Sequence, residues 1–131
     1  MKIIDNFIKK ANDLLTVKND IVNHASKKII DGVFDGYVNG FGPTVISSGL
    51  LPTIATYAAD PKRAKVLNII CKIANIEGNQ DGSAMLQYCL ANFNNQDQQW
   101  LIKEKLITAS IALKLVLRTF DITDQNKSNH E

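Results

Sequence analysis

The sequence predicts an all-α protein, folded as a compact bundle of five to seven helices. Apolar residues recur every three or four positions through most of the chain, which is typical of amphipathic helices. No segment shows sustained alternation of apolar and polar residues, and no turn dipeptide separates two strand-like runs. The 131 residues, 45% hydrophobic and 21% charged, indicate one globular domain. We expect this domain over residues 1–120 and a flexible polar tail over 121–131.

The first half of the chain predicts three helices and one hinge. Apolar stripes over residues 2–16 and 19–38 each cover one side of a helix. Glycine and proline interrupt the pattern over 39–49, which predicts a hinge. The following helix, LLPTIATYAA, is expected to begin near Gly49 and to end at Asp60.

The second half predicts three more helices. Asp60 is a good N-cap, and proline at the next position fits the first turn of a helix. The predicted helices are 61–76, 83–93 and a long one from a cap at Asp97 to about Phe120. The last helix is apolar on nearly all sides between Leu106 and Leu117, which is typical of a helix that is central in its bundle or faces a partner. The residues predicted for such a partner surface are Leu106, Leu113 and Leu117.

Positive charge is concentrated in one segment. The net charge is +2, yet residues 61–76 contain Lys62, Arg63, Lys65 and Lys72 and no acidic residue. On a helix the three lysines fall within about 80° of one another. Such a face can follow the phosphates of a nucleic acid, or it can simply be solvated. Weaker candidates for the same contact are Lys9, Lys10, Lys27 and Lys28.

A second face of the long helix combines one aromatic residue with cations. Its members, which fall within about 60° of one another, are Trp100, Lys103, Ile107, Lys114 and Arg118. Tryptophan beside cations can stack bases and hold a nucleic-acid backbone. Alternatively Trp100 anchors the core and the cations are ordinary surface residues, and the spacing alone favours this second interpretation.

The chain shows no motif for catalysis or metal binding. The two histidines, His24 and His130, have no partner at metal-ligand spacing. Phosphate-binding loops and hydrolase motifs are absent from the sequence. Asp31 and Asp35 would lie one turn apart on a helix, but paired carboxylates there are most often a solvated face. We therefore expect no enzyme activity, no metal and no cofactor.

The two cysteines predict a reducing compartment. Cys71 and Cys89 are 18 residues apart, without a CxxC motif, and read as buried free thiols. The first residues, MKIIDNFIKK, do not resemble a secretory signal. No apolar run approaches the roughly 20 residues of a membrane-spanning helix. These features predict a cytoplasmic protein.

Residues 37–57, YVNGFGPTVISSGLLPTIATY, resemble the small α-helical subunit of type III-B CRISPR (Cmr) RNA-targeting effector complexes. In that family a tyrosine precedes a segment marked by glycine or proline, and a Gly-Leu pair then opens a helix. The matching positions are Tyr37, Gly42, Pro43, Gly49, Leu50, Pro52, Thr53, Ala55 and Tyr57. Tyr88 in a short helix, a polar loop, and Trp100-Leu101 at the start of the last helix are also similar.

The resemblance implies a non-catalytic role in antiviral defence. Members of the family stack in several copies beside the guide and target RNA and offer it a basic surface, while other subunits cleave. The implied partners are the other subunits of the complex, further copies of the chain, and guide and target RNA. The resemblance assigns no RNA-contacting residue, so that prediction rests on the charge pattern of residues 61–76. The alternative is a helical protein-interaction module or homodimer without a nucleic-acid role.

Overall fold

Six α-helices make up most of the computed structural model, which describes residues 3–16, 22–23 and 29–123. The helices are α1 (Ile3–Thr16), α2 (Gly32–Ser48), α3 (Leu50–Ala59), α4 (Pro61–Ala74), α5 (Gly82–Ala91) and α6 (Gln96–Leu117). The predicted all-α bundle is therefore confirmed. Within the described ranges, no helix combines the length and the hydropathy needed to cross a membrane.

A small sheet lies beside the helices. Its strands are β1 (Val22–Asn23), β2 (Ile29–Asp31) and β3 (Asp121–Thr123). β2 pairs antiparallel with β1 and parallel with β3. The sequence pattern does not predict these strands, because two or three residues are too short to show an alternation. The sheet ties the segment before α2 to the segment after α6.

The sheet changes two predicted boundaries. The helix predicted over 19–38 is wrong at 22–23 and 29–31, which lie in β1 and β2, and α2 begins at Gly32. The rest of 19–28 lies outside the described residues. The tail predicted over 121–131 begins with strand β3. Residues 124–131 lie outside the described residues. The same holds for the predicted candidates His24, Lys27, Lys28 and His130.

The hinge predicted over residues 39–49 is a helix except at its last position. α2 continues to Ser48 with Pro43 inside it, although proline cannot donate a helical hydrogen bond. The chain bends only at Gly49, which has φ +96°, a conformation that favours glycine. The Gly49 N–H donates to the Val45 carbonyl at 2.9 Å, and the Thr53 hydroxyl donates to the Gly49 carbonyl at 2.7 Å. One residue thus joins α2 to α3.

Helix α6 lies at the centre of the bundle, where it packs against α1, α2 and α4. Gly42 of α2 is buried against α6, where a Cβ would lie at ordinary contact distance, 3.8 Å, from both Ile107 Cγ2 and Ser110 Oγ. The largest fully buried side chains come from all six helices: Leu15, Phe41, Ile54, Leu67, Ile70, Ile73, Met85, Ile102, Leu106, Leu113 and Leu117.

Short polar turns set the ends of α4, α5 and α6. α4 ends at Asn75, which adopts a left-handed conformation with φ 45°. The Asp81 carboxylate accepts the Ala84 N–H at 2.8 Å and caps α5. The cap of α6 is Asn95, whose side chain accepts the Gln98 N–H at 3.0 Å. The predicted cap, Asp97, lies instead in the first turn, where its charge still favours the helix dipole.

Candidate nucleic-acid interface

The exposed face of α4 carries the predicted lysines. Lys62, Lys65 and Lys72 are all exposed and lie on one side of the helix. At about 1.5 Å of rise per residue, the first and last are roughly 15 Å apart along the axis. In the part of the chain that the structure describes, the only ion pair is Arg63 with Asp60. The three ammonium groups are therefore available to an external anion.

Arg63 belongs to the framework and not to this lysine face. Its guanidinium lies 4.6 Å from the centre of the Tyr37 ring and 6.0 Å from that of Tyr57. It also donates to the Asp60 carboxylate at 3.0 Å. Asp60 precedes α4 as predicted, but its side chain makes no cap hydrogen bond to the helix backbone. The structure thus separates Arg63 from the lysines with which the sequence groups it.

The guanidinium of Arg63 packs against a cluster of aromatic residues. The Tyr57 hydroxyl donates to the Tyr37 carbonyl at 2.7 Å, which links α3 to α2. The Phe41 and Tyr57 rings meet edge to face with their centres 5.3 Å apart. Burial raises the pKa of Tyr57, although the nearby Arg63 acts in the opposite direction. The residues of the 37–57 resemblance therefore build a corner on which α4 begins.

Lys65 has a weak support of its own. Its ammonium nitrogen lies 5.9 Å from the centre of the half-buried Phe34 ring. At an exposed site such a contact contributes about 0.5–1 kcal/mol. It therefore restricts the side chain without neutralising the charge. The sequence gives no signal for this contact, because Phe34 and Lys65 are distant in the chain.

The predicted partner surface on α6 is wrong. Leu106, Leu113 and Leu117 are all 0% exposed, since they form the inner side of α6 in the protein's own core. The exposed apolar residues of this helix are Ile111 and Leu115. A helix that is apolar on nearly all sides has an inner and an outer apolar face, and the sequence did not distinguish them.

The interpretation of Trp100 as a core anchor is also wrong, because its side chain is 58% exposed. Of the other members of its predicted face, Arg118 is exposed, while Lys103, Ile107 and Lys114 are half-buried. A groove of about 190 Å³ lies beside the last two, between α2 and α6. Ile46 of α2, 71% exposed, lines this groove together with Ile111.

The carboxylate pair loses its predicted geometry. Asp31 ends strand β2, whereas Asp35 lies in the first turn of α2, so the two do not share a helix face. The Asp35 carboxylate accepts a hydrogen bond from the Asn39 side chain at 3.1 Å. Over the described ranges there is no cluster of three metal-ligating side chains.

Both cysteines are buried free thiols, as expected. Burial raises the pKa of Cys71 from 9.0 to about 12 and that of Cys89 from 9.0 to about 11. At neutral pH both therefore stay protonated, and a protonated thiol is a poor nucleophile.

Comparison of the chain with protein-family profiles, with curated proteins and with solved structures finds no match. The family resemblance of residues 37–57 therefore stays a prediction.

Substitutions at Arg63 and Lys62 should differ in their effect on stability, because only Arg63 contacts the tyrosines and Asp60. Arg63→Gln removes the tyrosine stacking and the partly exposed ion pair, which should lower the free energy of unfolding by about 1 kcal/mol. Lys62→Gln, one residue away and without either contact, should change it by less than about 0.5 kcal/mol. Urea unfolding followed by circular dichroism measures both. Equal losses in the two variants would contradict the assignment of Arg63 to the framework.

The thiols should react with a chromogenic disulfide reagent only when the protein unfolds. At pH 8 we expect slow labelling of the native protein and rapid labelling of two thiols in urea. Because the folded state holds both thiols neutral, their contribution to stability is complete below about pH 9. It should be lost as the pH rises through about 11 to 12. Rapid native labelling at pH 8 would contradict this burial.

Proposed function

We propose that this chain is a non-catalytic small subunit of a type III-B CRISPR RNA-guided effector complex, which contacts the guide–target RNA through α4. The observation that carries the proposal is the exposed face of Lys62, Lys65 and Lys72, which has no ion-pair partner in the described part of the chain. Three cations along about 15 Å of helix can each meet a phosphate of one strand.

The residues of the resemblance support this proposal indirectly. Tyr37 and Tyr57 hold Arg63 in the first turn of α4, and the bend at Gly49 sets where α3 leads into that helix. The segment 37–57 would thus identify the family through its scaffold, while the lysines of α4 supply the contact. A change in this corner would act on RNA binding through the position of α4.

The proposed contact is to the RNA backbone and not to its bases. Lysine ammonium groups meet phosphates as point charges, and phosphate contacts carry no sequence information. Base pairing with the guide would supply the specificity, and other subunits would supply the cleavage. The chain would act in the cytoplasm, without a metal or cofactor of its own.

Membership of an effector complex can be tested by mild affinity purification of the tagged chain from its own cells. We expect several co-purifying subunits together with a short RNA of uniform length. Recovery of the chain alone, or with one protein and no RNA, would contradict the proposed function.

The α4 interface can be tested with the purified chain and a labelled RNA duplex. Changing Lys62, Lys65 and Lys72 together to glutamate should weaken binding and flatten its dependence on salt. The slope of log K against log salt should fall by about 2 to 3, since each lost phosphate contact removes roughly 0.7 to 0.9. Fluorescence anisotropy at several salt concentrations measures this.

A matched control distinguishes the effect of losing the lysine face of α4 from the effect of lowering the net charge. Lys103, Lys105 and Lys114, all half-buried on α6, changed together to glutamate alter the net charge equally. This control should keep most of the wild-type slope, and circular dichroism should show both variants folded. An equal loss in the two triple variants would contradict a localised interface on α4.

A further inference from the structure

One face of α6 is only partly covered by the residues that the structure describes, and its sequence is self-complementary. At 100° per residue its members fall within about 80° of one another: Glu104, Ile107, Ile111, Leu115 and Arg118. Ile111 is 42% and Leu115 39% exposed. Glu104 and Arg118 are both exposed, and neither forms an ion pair with any residue that the structure describes. We call these five residues the α6 outer stripe.

The order of charges along the α6 outer stripe favours one arrangement of two copies. In an antiparallel pair with Ile111 on the two-fold axis, residues equally far from Ile111 on either side face each other. Ile107 then meets the partner copy's residue 115, and Glu104 meets residue 118. Each apolar side chain thus faces an apolar one, and the two-fold axis produces two glutamate–arginine pairs, one at each end of the contact. A parallel pair would instead place like charges side by side.

The apolar area extends beyond this helix. Ile46 of α2 is 71% exposed and lines, with Ile107 and Ile111, the groove between α2 and α6. The groove gives the side chains of a second copy a recess next to the axis, and Trp100 adds exposed apolar surface toward the start of the helix. Exposed apolar patches bordered by polar residues mark interaction sites.

We propose that this chain forms a symmetric homodimer through antiparallel contact of the α6 outer stripe. The proposal uses no residue of the α4 lysine face and does not depend on RNA binding. Its occupant is a second copy, because the positions of Glu104 and Arg118, seven residues on either side of Ile111, complement themselves under a two-fold rotation.

Charge reversal with the purified full chain tests this geometry. Analytical ultracentrifugation of the wild type should show a dimer at micromolar concentration. Glu104→Arg alone and Arg118→Glu alone should each raise the dissociation constant about tenfold or more, since each places like charges opposite one another at both ends. An equimolar mixture of the two variants should associate again, because every 104–118 pair in the mixed dimer is then of opposite charge.

The axis itself is tested with Ile111→Asp, which brings two carboxylates together and should give a monomer. Leu90→Asp on α5, at a side chain 49% exposed, is the matched control and should stay dimeric. Circular dichroism checks that each variant is folded. If Ile111→Asp does not fold, the charge reversals at the exposed positions 104 and 118 test the dimer on their own. A monomeric wild type, or single variants that do not associate when mixed, would overturn the proposal and leave the stripe to a different protein.

Discussion

The structure depends on the burial of α6 among α1, α2 and α4. Its inner residues, including Leu106, Leu113 and Leu117, are removed from water completely. Full burial of a leucine contributes roughly 1.5–3 kcal/mol, so this side of the helix is a large part of what holds the bundle together. The neighbouring helices cover only this side. Apolar residues on the remaining side, such as Ile111 and Leu115, are consequently left exposed.

A second constraint fixes the start of α4. The left-handed backbone at Gly49 turns the chain from α2 into α3 within one residue. The Tyr57 hydroxyl then bonds back to the carbonyl of Tyr37, and Arg63 stacks on the Tyr37 ring. A part-buried hydrogen bond and edge-to-face ring contacts of this kind each contribute about 0.5–1.5 kcal/mol and prefer a defined geometry. The corner therefore fixes where α4 begins, while burial of the apolar side of α4, including Leu67 and Ile70, leaves the lysines in solvent.

The helical periodicity predicted the bundle and five of its helices closely, because an amphipathic stripe reports directly on burial. The periodicity did not predict features that depend on contacts between residues distant in the chain. Residues 29–31 are a strand because β3 pairs with them from the far end of the chain. Pro43 stays helical because tertiary packing overrides its low propensity. The three lysines were located by charge alone, whereas the framework role of Arg63 and the exposure of Trp100 required the tertiary structure. The spacing of Glu104, Ile111 and Arg118 was visible in the sequence, but only burial shows that it faces outward.

The two proposed surfaces lie on different helices and rest on different forces. The lysine face of α4 would bind RNA through phosphate charge, which salt weakens steeply. The α6 outer stripe would associate through apolar burial at Ile111, which salt does not weaken, with charge pairs only at its ends. Raising the salt concentration should therefore release RNA before it separates the two copies. A symmetric pair would also present two lysine faces related by one two-fold axis. It could then hold RNA at two places at once, and the effective concentration of the second contact would strengthen binding without any new residue.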